Sequence, residues 1–295
     1  MKIEGVYTAL ITPFNSNNSD IVNYEAYKKQ LKFQISNGVS GLLPLGTTGE
    51  TPTLTREEQD KIIECTVNEA KGKVVIVVGT GSNSTKATIE NTKRAKDLGA
   101  DAALVITPYY NKPTQEGIYR HFATVAEKAD LPIIVYNIKG RTGVNIETST
   151  LIRIAEIPQI VGVKEASGDM NQIGDVCKVL ASDTFSVMSG DDSLTLPAMA
   201  LGASGVISVV SNLIPAQLVE MVESVKKSDL PKALKIHRQL LPFFKGVFIE
   251  TNPVPIKAAM NLCGMSCGQY RLPLCEMKKE NLEKLKGILK DLKLL

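Results

Sequence analysis

Eight short runs rich in valine and isoleucine, each followed by an amphipathic stretch of helical length, set the strongest limit on how this 295-residue chain can fold. The runs are Val6 to Thr12, Gly41 to Leu45, Val74 to Val78, Ala102 to Ile106, Ile133 to Tyr136, Ile160 to Val163, Phe185 to Met188 and Gly205 to Ser208. Several helix starts are explicit. Thr55-Arg-Glu-Glu58 is a capping box, and Ser84 and Thr114 stand ahead of the next two amphipathic stretches. Strands that alternate with helices imply parallel pairing through crossover connections. A run as continuously apolar as Val74-Val-Ile-Val-Val78 belongs where both faces of the sheet are covered. An open doubly wound sheet and a closed barrel both meet that condition. Eight consecutive units without a long insertion, and no G-x-G-x-x-G after the first run, favour an α/β (β/α)8 TIM barrel.

Past about residue 228 the strand pattern stops, and the chain reads as helical near Leu230 to Phe248, Pro255 to Cys263 and Lys279 to Leu292. The expected organisation is a catalytic barrel over 1–228 and a C-terminal helical region over 229–295 packed on it, since no low-complexity linker separates them. The net charge is +3, and the lysines of the last helix alternate with acidic residues, which describes a solvated face and excludes a nucleic-acid footprint. No window approaches the ~20 apolar residues of a membrane span, and the N-terminus lacks a signal-peptide pattern, so a cytoplasmic protein is expected. Five cysteines and only two histidines, His121 and His237, give no metal-ligand spacing; Cys263 and Cys267 are expected as buried or half-buried free thiols.

In a barrel of this kind the chemistry lies where the strands end. After the second run comes Gly46-Thr47-Thr48-Gly49-Glu50, either a plain glycine-rich turn or a loop that aims its N–H groups at a small anion. The fourth run ends in Thr107-Pro-Tyr109-Tyr110-Asn-Lys-Pro113, whose tyrosines suit packing or an interface. Tyr136 ends the fifth run, where a phenol can relay protons, and Arg141 on the following loop can hold a carboxylate bidentately. Lys164 is the sharpest feature. It follows the apolar Ile160-Val-Gly-Val163, and a lysine facing a barrel interior loses its ammonium form to desolvation, leaving a neutral amine that attacks carbonyl carbon. The bland reading is a lysine reaching solvent or paired with Glu165, but strand alternation puts Glu165 on the opposite face. Asp192 reads as a helix N-cap, and Gly190 with the backbone near Ile207 is expected to line the mouth beside Lys164.

Taken in order, Ala9-Leu-Ile-Thr-Pro-Phe14, Gly46-Thr-Thr-Gly-Glu50, Tyr109-Tyr-Asn-Lys-Pro113, Tyr136-Asn137, Arg141-Thr-Gly143, Gly162-Val-Lys-Glu-Ala-Ser167, Gly205-Val-Ile-Ser208, Glu250-Thr-Asn-Pro253 and Arg271-Leu-Pro273 span the chain. Together they resemble the pyruvate-dependent class I aldolase family that includes dihydrodipicolinate synthase and N-acetylneuraminate lyase. Arg141 and Thr47 align the chain with the synthase branch. The resemblance implies a lyase that condenses pyruvate with L-aspartate 4-semialdehyde in the diaminopimelate route to lysine, with neither metal nor organic cofactor. It implies Lys164 as the Schiff-base residue and Tyr136, Thr47 and Tyr110 as a proton relay, with Tyr110 inserted from a neighbouring subunit. Thr48 and the Ile207 carbonyl would then contact pyruvate, and Arg141 the carboxylate of the semialdehyde. A homotetramer, a dimer of dimers, is implied as well.

Two departures from the family stand out. Lys139 replaces a common proline, so the loop carrying Arg141 is expected to be looser or shaped for another aldehyde, or its extra cation to strengthen recognition of an acidic acceptor. Arg56, Gln59 and Ala87 stand where lysine-inhibited members carry histidine and glutamate, so weak or absent feedback inhibition is expected. The alternatives are a lyase of sialic or 2-keto-3-deoxy sugar acids from the same family, and a catalytically silent barrel that binds small carboxylates.

Overall fold

A computed structural model describes residues 1–295. Its main sheet is a closed barrel of eight strands, Gly5–Ala9, Gly41–Leu43, Val75–Gly79, Ala102–Ile106, Ile133–Asn137, Ile160–Glu165, Ser186–Ser189 and Gly205–Ser208, each paired with its sequence neighbours and the first with the last. They are called here the first to eighth barrel strands. Every one of the eight expected strands is present, so the barrel is confirmed over the open sheet. The differences lie at the ends. The second strand stops at Leu43 because Pro44 has no N–H to give the ladder and Leu45 turns left-handed, with φ 57°. The first is paired only to Ala9, although Leu10, Ile11 and Thr12 are equally buried. Between the first strand and the helix Tyr24–Ser36 lies an antiparallel hairpin, Phe14–Asn15 with Asn18–Val22, absent from the sequence reading because its residues are mostly polar.

The chain divides into two compact units. The first comprises Met1–Gly5 and Ile76–Ile207. Its core holds apolar strand residues such as Val105, Ile134, Val135 and Val163 and helix residues such as Phe122, Leu151 and Val176. The helices follow the predicted starts. Ser84 accepts from Ala87 N and Thr114 from Gly117 N, each satisfying a backbone donor that the first turn leaves open.

The second unit comprises Val6–Val75 and Ser208–Leu295. The Thr55 capping box opens Arg56–Ala70 as predicted. The C-terminal helices run Leu230–Gly246, Val254–Leu262 and Lys279–Asp291. Leu285 and Leu289 of the last helix are fully buried, and Glu250 accepts from Lys278 N and Asn281 Nδ2 at its start. Arg271 ties this unit together: its guanidinium forks onto both carboxylate oxygens of Glu58 at 2.8 and 2.6 Å and donates to the carbonyls of Ser19, Asp20 and Thr53. Cys267 is buried and Cys263 half-buried, whereas Cys275 is exposed. No helix is long and apolar enough to cross a membrane.

Candidate active site

Parallel pairing puts Tyr136 directly beside Lys164, in the register Tyr136↔Lys164 and Asn137↔Glu165. Side chains alternate along a strand, so the first pair shares one face and the second pair the other. Lys164 is 6% exposed, and its Nζ lies 4.4 Å from the centre of the Tyr136 ring. Burial lowers the ammonium from 10.5 to about 8; Asp192 opposes the change and Arg141 reinforces it. The Tyr136 phenol is buried too, and desolvation pushes it up to about 12 against the pull of Arg141. At neutral pH the phenol therefore keeps its proton, and a tenth or so of Lys164 is neutral amine by simple titration.

Gly190 leaves the room that Lys164 occupies. A Cβ built there would lie 2.6 Å from Ala166 Cβ, 3.1 Å from Lys164 Cε and 3.2 Å from Lys164 Cγ. Its N–H donates to Glu165 O at 2.8 Å, which holds the turn against the sixth strand. The expectation for Asp192 is corrected: the cap of the short turn Asp192–Leu194 is Asp191, whose carboxylate accepts from Ser193 N. Asp192 is 1% exposed, and its charge acts on Lys164. Two adjacent aspartates at a turn offer two possible caps, and only the backbone dihedrals choose between them.

The loop with Lys139 takes regular structure. Lys139–Thr142 forms a helical turn in which Arg141 N and Thr142 N donate to Ile138 O, closed by Gly143 at φ 76°. Arg141 is exposed on that turn, close enough for its charge to bear on both Lys164 and Tyr136. Tyr110 is 88% exposed and sits at φ 73°, so within a single chain its ring is not packed against Lys164. Ile207 is buried on the eighth strand of the same unit.

Thr47 and Thr48 belong to the second unit. Thr47–Gly49 is one 3₁₀ turn, whose carbonyls at Gly46 and Thr47 bond Gly49 N and Glu50 N. As the first residues of that turn, Thr47 and Thr48 have N–H groups with no carbonyl behind them inside it. Thr48 Oγ1 accepts from Asn252 Nδ2 at 2.9 Å. Glu50, left-handed at φ 53°, is locked behind the turn by Lys257, whose Nζ reaches Glu50 Oε1 at 2.6 Å and Gln269 O at 2.7 Å. Lys257 is fully buried, 0% exposed, and desolvation lowers its ammonium in spite of Glu50. Sequence reasoning passed over Lys257 and gave Asn252, within Glu250-Thr-Asn-Pro253, no role of its own. The signal for Lys257 was present, a single charge inside Val254-Pro-Ile-Lys-Ala-Ala-Met260.

A lysine amine brought into the titratable range at the end of a strand of an eight-stranded parallel barrel marks a class, the lysine-dependent barrel lyases of class I aldolase type. Residues 2–292 match the model of the dihydrodipicolinate synthetase family, and the chain belongs to that family. It is 50% identical over 294 residues to a 4-hydroxy-tetrahydrodipicolinate synthase of Protochlamydia amoebophila, covering 99% of this chain and 97% of that one. A protein of the same name from Methanocaldococcus jannaschii is 47% identical over 293 residues, covering 99% of each chain. The crystal structure of a dihydrodipicolinate synthase from Thermotoga maritima superposes with a TM-score of 0.97 at 43% identity, covering 100% of both chains.

Proposed function

We propose that the chain condenses pyruvate with L-aspartate 4-semialdehyde to 4-hydroxy-tetrahydrodipicolinate through a Schiff base on Lys164. The buried Lys164 amine beside the protonated Tyr136 carries the reading. The neutral amine adds to the pyruvate ketone, and loss of water gives the imine. Loss of a C3 proton gives the enamine, whose C3 attacks the aldehyde carbon. The amino group of the adduct then displaces Lys164 as the ring closes. Covalent attachment thus splits one carbon–carbon bond formation into easier steps.

Tyr136, Thr47 and Tyr110 relay protons in this reading. The exposed Tyr110, held in a left-handed conformation on its loop, suits a side chain inserted into a neighbouring subunit, and a homotetramer built from such dimers is the assembly proposed. The N–H groups of Thr47 and Thr48 hold the pyruvate carboxylate, with the Ile207 carbonyl nearby, and Gly190 keeps the Lys164 path clear. A cytoplasmic location is part of this proposal. Incubation with pyruvate, borohydride reduction and peptide mapping test the central claim: a mass gain on the Lys164 peptide is expected, and its absence sinks the reading in favour of a silent barrel.

Arg141 holds the carboxylate of the semialdehyde. Arg141→Ala is expected to raise the KM for the semialdehyde tenfold or more, about 1.5–3 kcal/mol for a charged hydrogen bond, with a smaller effect on pyruvate. An unchanged semialdehyde KM in steady-state assays would remove Arg141 from that role. Lys139, on the same turn, is the residue that favours a second reading, cleavage of a 2-keto-3-deoxy sugar acid; direct assay of both substrates with the trapping-competent enzyme decides. With Arg56, Gln59 and Ala87 at the family's regulatory positions, lysine below millimolar concentration is expected to leave the rate unchanged, and inhibition there would contradict this.

A further inference from the structure

The reverse face of the Lys164 strand carries a second cluster that the reaction does not use. Glu165 is 1% exposed, and its carboxylate meets only nitrogen donors: Ser167 N reaches Oε1 at 2.7 Å, Asn137 Nδ2 lies 3.3 and 3.1 Å from Oε1 and Oε2, and Gln172 Nε2 is 3.3 Å from Oε2. Asn137 in turn donates to Asn145 Oδ1 at 2.9 Å and accepts from Ile146 N at 3.0 Å, while Asn145 Nδ2 donates to Gln172 Oε1 at 2.8 Å. The cluster thus joins the ends of the fifth and sixth strands to the segment that follows Arg141-Thr-Gly143.

Pairing between these two strands is irregular at its start. Ile133 pairs with Ile160 but Ile134 with Gly162, so the sixth strand carries one residue more there. A bulge re-aims the side chains that follow it, and a one-residue slip would carry Tyr136 or Lys164 to the wrong face. Asn137↔Glu165 is the last pair of this ladder, one step beyond Tyr136↔Lys164. A buried, fully satisfied polar cluster at that step specifies one register and one loop position.

We propose that Glu165 is the positioning residue of this site: through Asn137, Ser167 and Asn145 its carboxylate fixes the relative placement of Tyr136, Lys164 and the Arg141 turn. An acceptor-only group is required, because Ser167 N can only donate, and Ile146 N and Ile146 O hold the Asn137 and Gln172 amides with their nitrogens toward the carboxylate. Glutamine would turn an NH2 onto one of them.

The inference rests on imine formation at Lys164, so wild-type pyruvate trapping is the control. Glu165→Gln is compared with the reciprocal double variant Glu165→Gln with Asn137→Asp, which returns a carboxylate to the pair; the Asn145 amide matches it by rotation, and Gln172 follows at the cost of its Nε2 bond to Ile146 O. For the single variant, trapping and kcat per folded molecule are expected to fall at least about tenfold with near-native circular dichroism. In the double variant part of the trapping rate returns. A single variant that folds and traps at the wild-type rate, or a double variant no better than the single, overturns the proposal. Should Glu165→Gln fail to fold, Glu165→Asp alone takes its place: its carboxylate is drawn back from Asn137 and Ser167 by one methylene, trapping per folded molecule is expected to fall at least about tenfold, and trapping at the wild-type rate overturns the proposal. Wild-type protein that traps no pyruvate removes the proposed function and this inference together, whereas intact wild-type trapping with an indifferent variant removes only the inference.

Discussion

Lys164→Met is expected to abolish borohydride-trappable pyruvate and to lower turnover by at least about a thousandfold, because no other amine stands at the end of that strand to form the imine. The same substitution is expected to stabilise the fold. Holding this ammonium at about 8 instead of 10.5 corresponds to about 3 kcal/mol at neutral pH, which an apolar side chain of similar length does not incur. The pH dependence gives the two effects opposite signatures. The unfolded chain keeps the proton up to about 10.5 and the folded chain only up to about 8, so the penalty is fully present below about 8. It fades as pH rises from there to 10.5, and the stability advantage of the variant fades with it. Imine formation in the wild type runs the other way within the same site, rising as pH approaches about 8 and the neutral amine accumulates. Denaturant melts at pH 7 and 10 and trapping rates across that range measure both; a variant less stable than wild type at pH 7 would mean that Lys164 is not held against its solvation.

Lys257→Met is expected to destabilise the protein by about 3–5 kcal/mol, since Glu50, 2% exposed, would keep a buried charge without its counter-ion. The lost ammonium also leaves Gln269 O without its donor and removes the contacts over Phe14 and Tyr270, 4.4 and 5.2 Å from Nζ to the ring centres. Adding Glu50→Gln should recover a substantial part of the loss by removing the stranded charge, although not the left-handed turn that the pair holds. Chemical denaturation of the two single variants and the double variant isolates the coupling. A loss below about 1 kcal/mol in Lys257→Met would show that Glu50 finds another partner or takes up a proton at little cost.

These predictions divide along what a linear reading could see. Lys164 announced itself, because a charge after four apolar residues at a strand end has few structural reasons to be there. Tyr136, Arg141 and the Gly46-Thr-Thr-Gly49 turn were singled out in the same way, by position at strand ends. Asp192 was misread because a cap and a buried charge look alike until the dihedrals of Asp191 are known. Lys257 and Glu50 lie 207 residues apart, and nothing local in either segment names the other. Gly190 was placed near the mouth by strand order, but the reason it must be glycine, the 2.6 Å approach to Ala166, exists only in three dimensions.

Local order along the chain is enough to specify the barrel and to single out Lys164 as the candidate nucleophile, since period, strand count and a charge after an apolar run survive without coordinates. Three dimensions were needed to see how far burial weakens the hold on the Lys164 proton, which groups act on it, and what lies on the reverse face of its strand. Those depend on desolvation and on charges that meet through space, and neither is encoded at any single position of the chain.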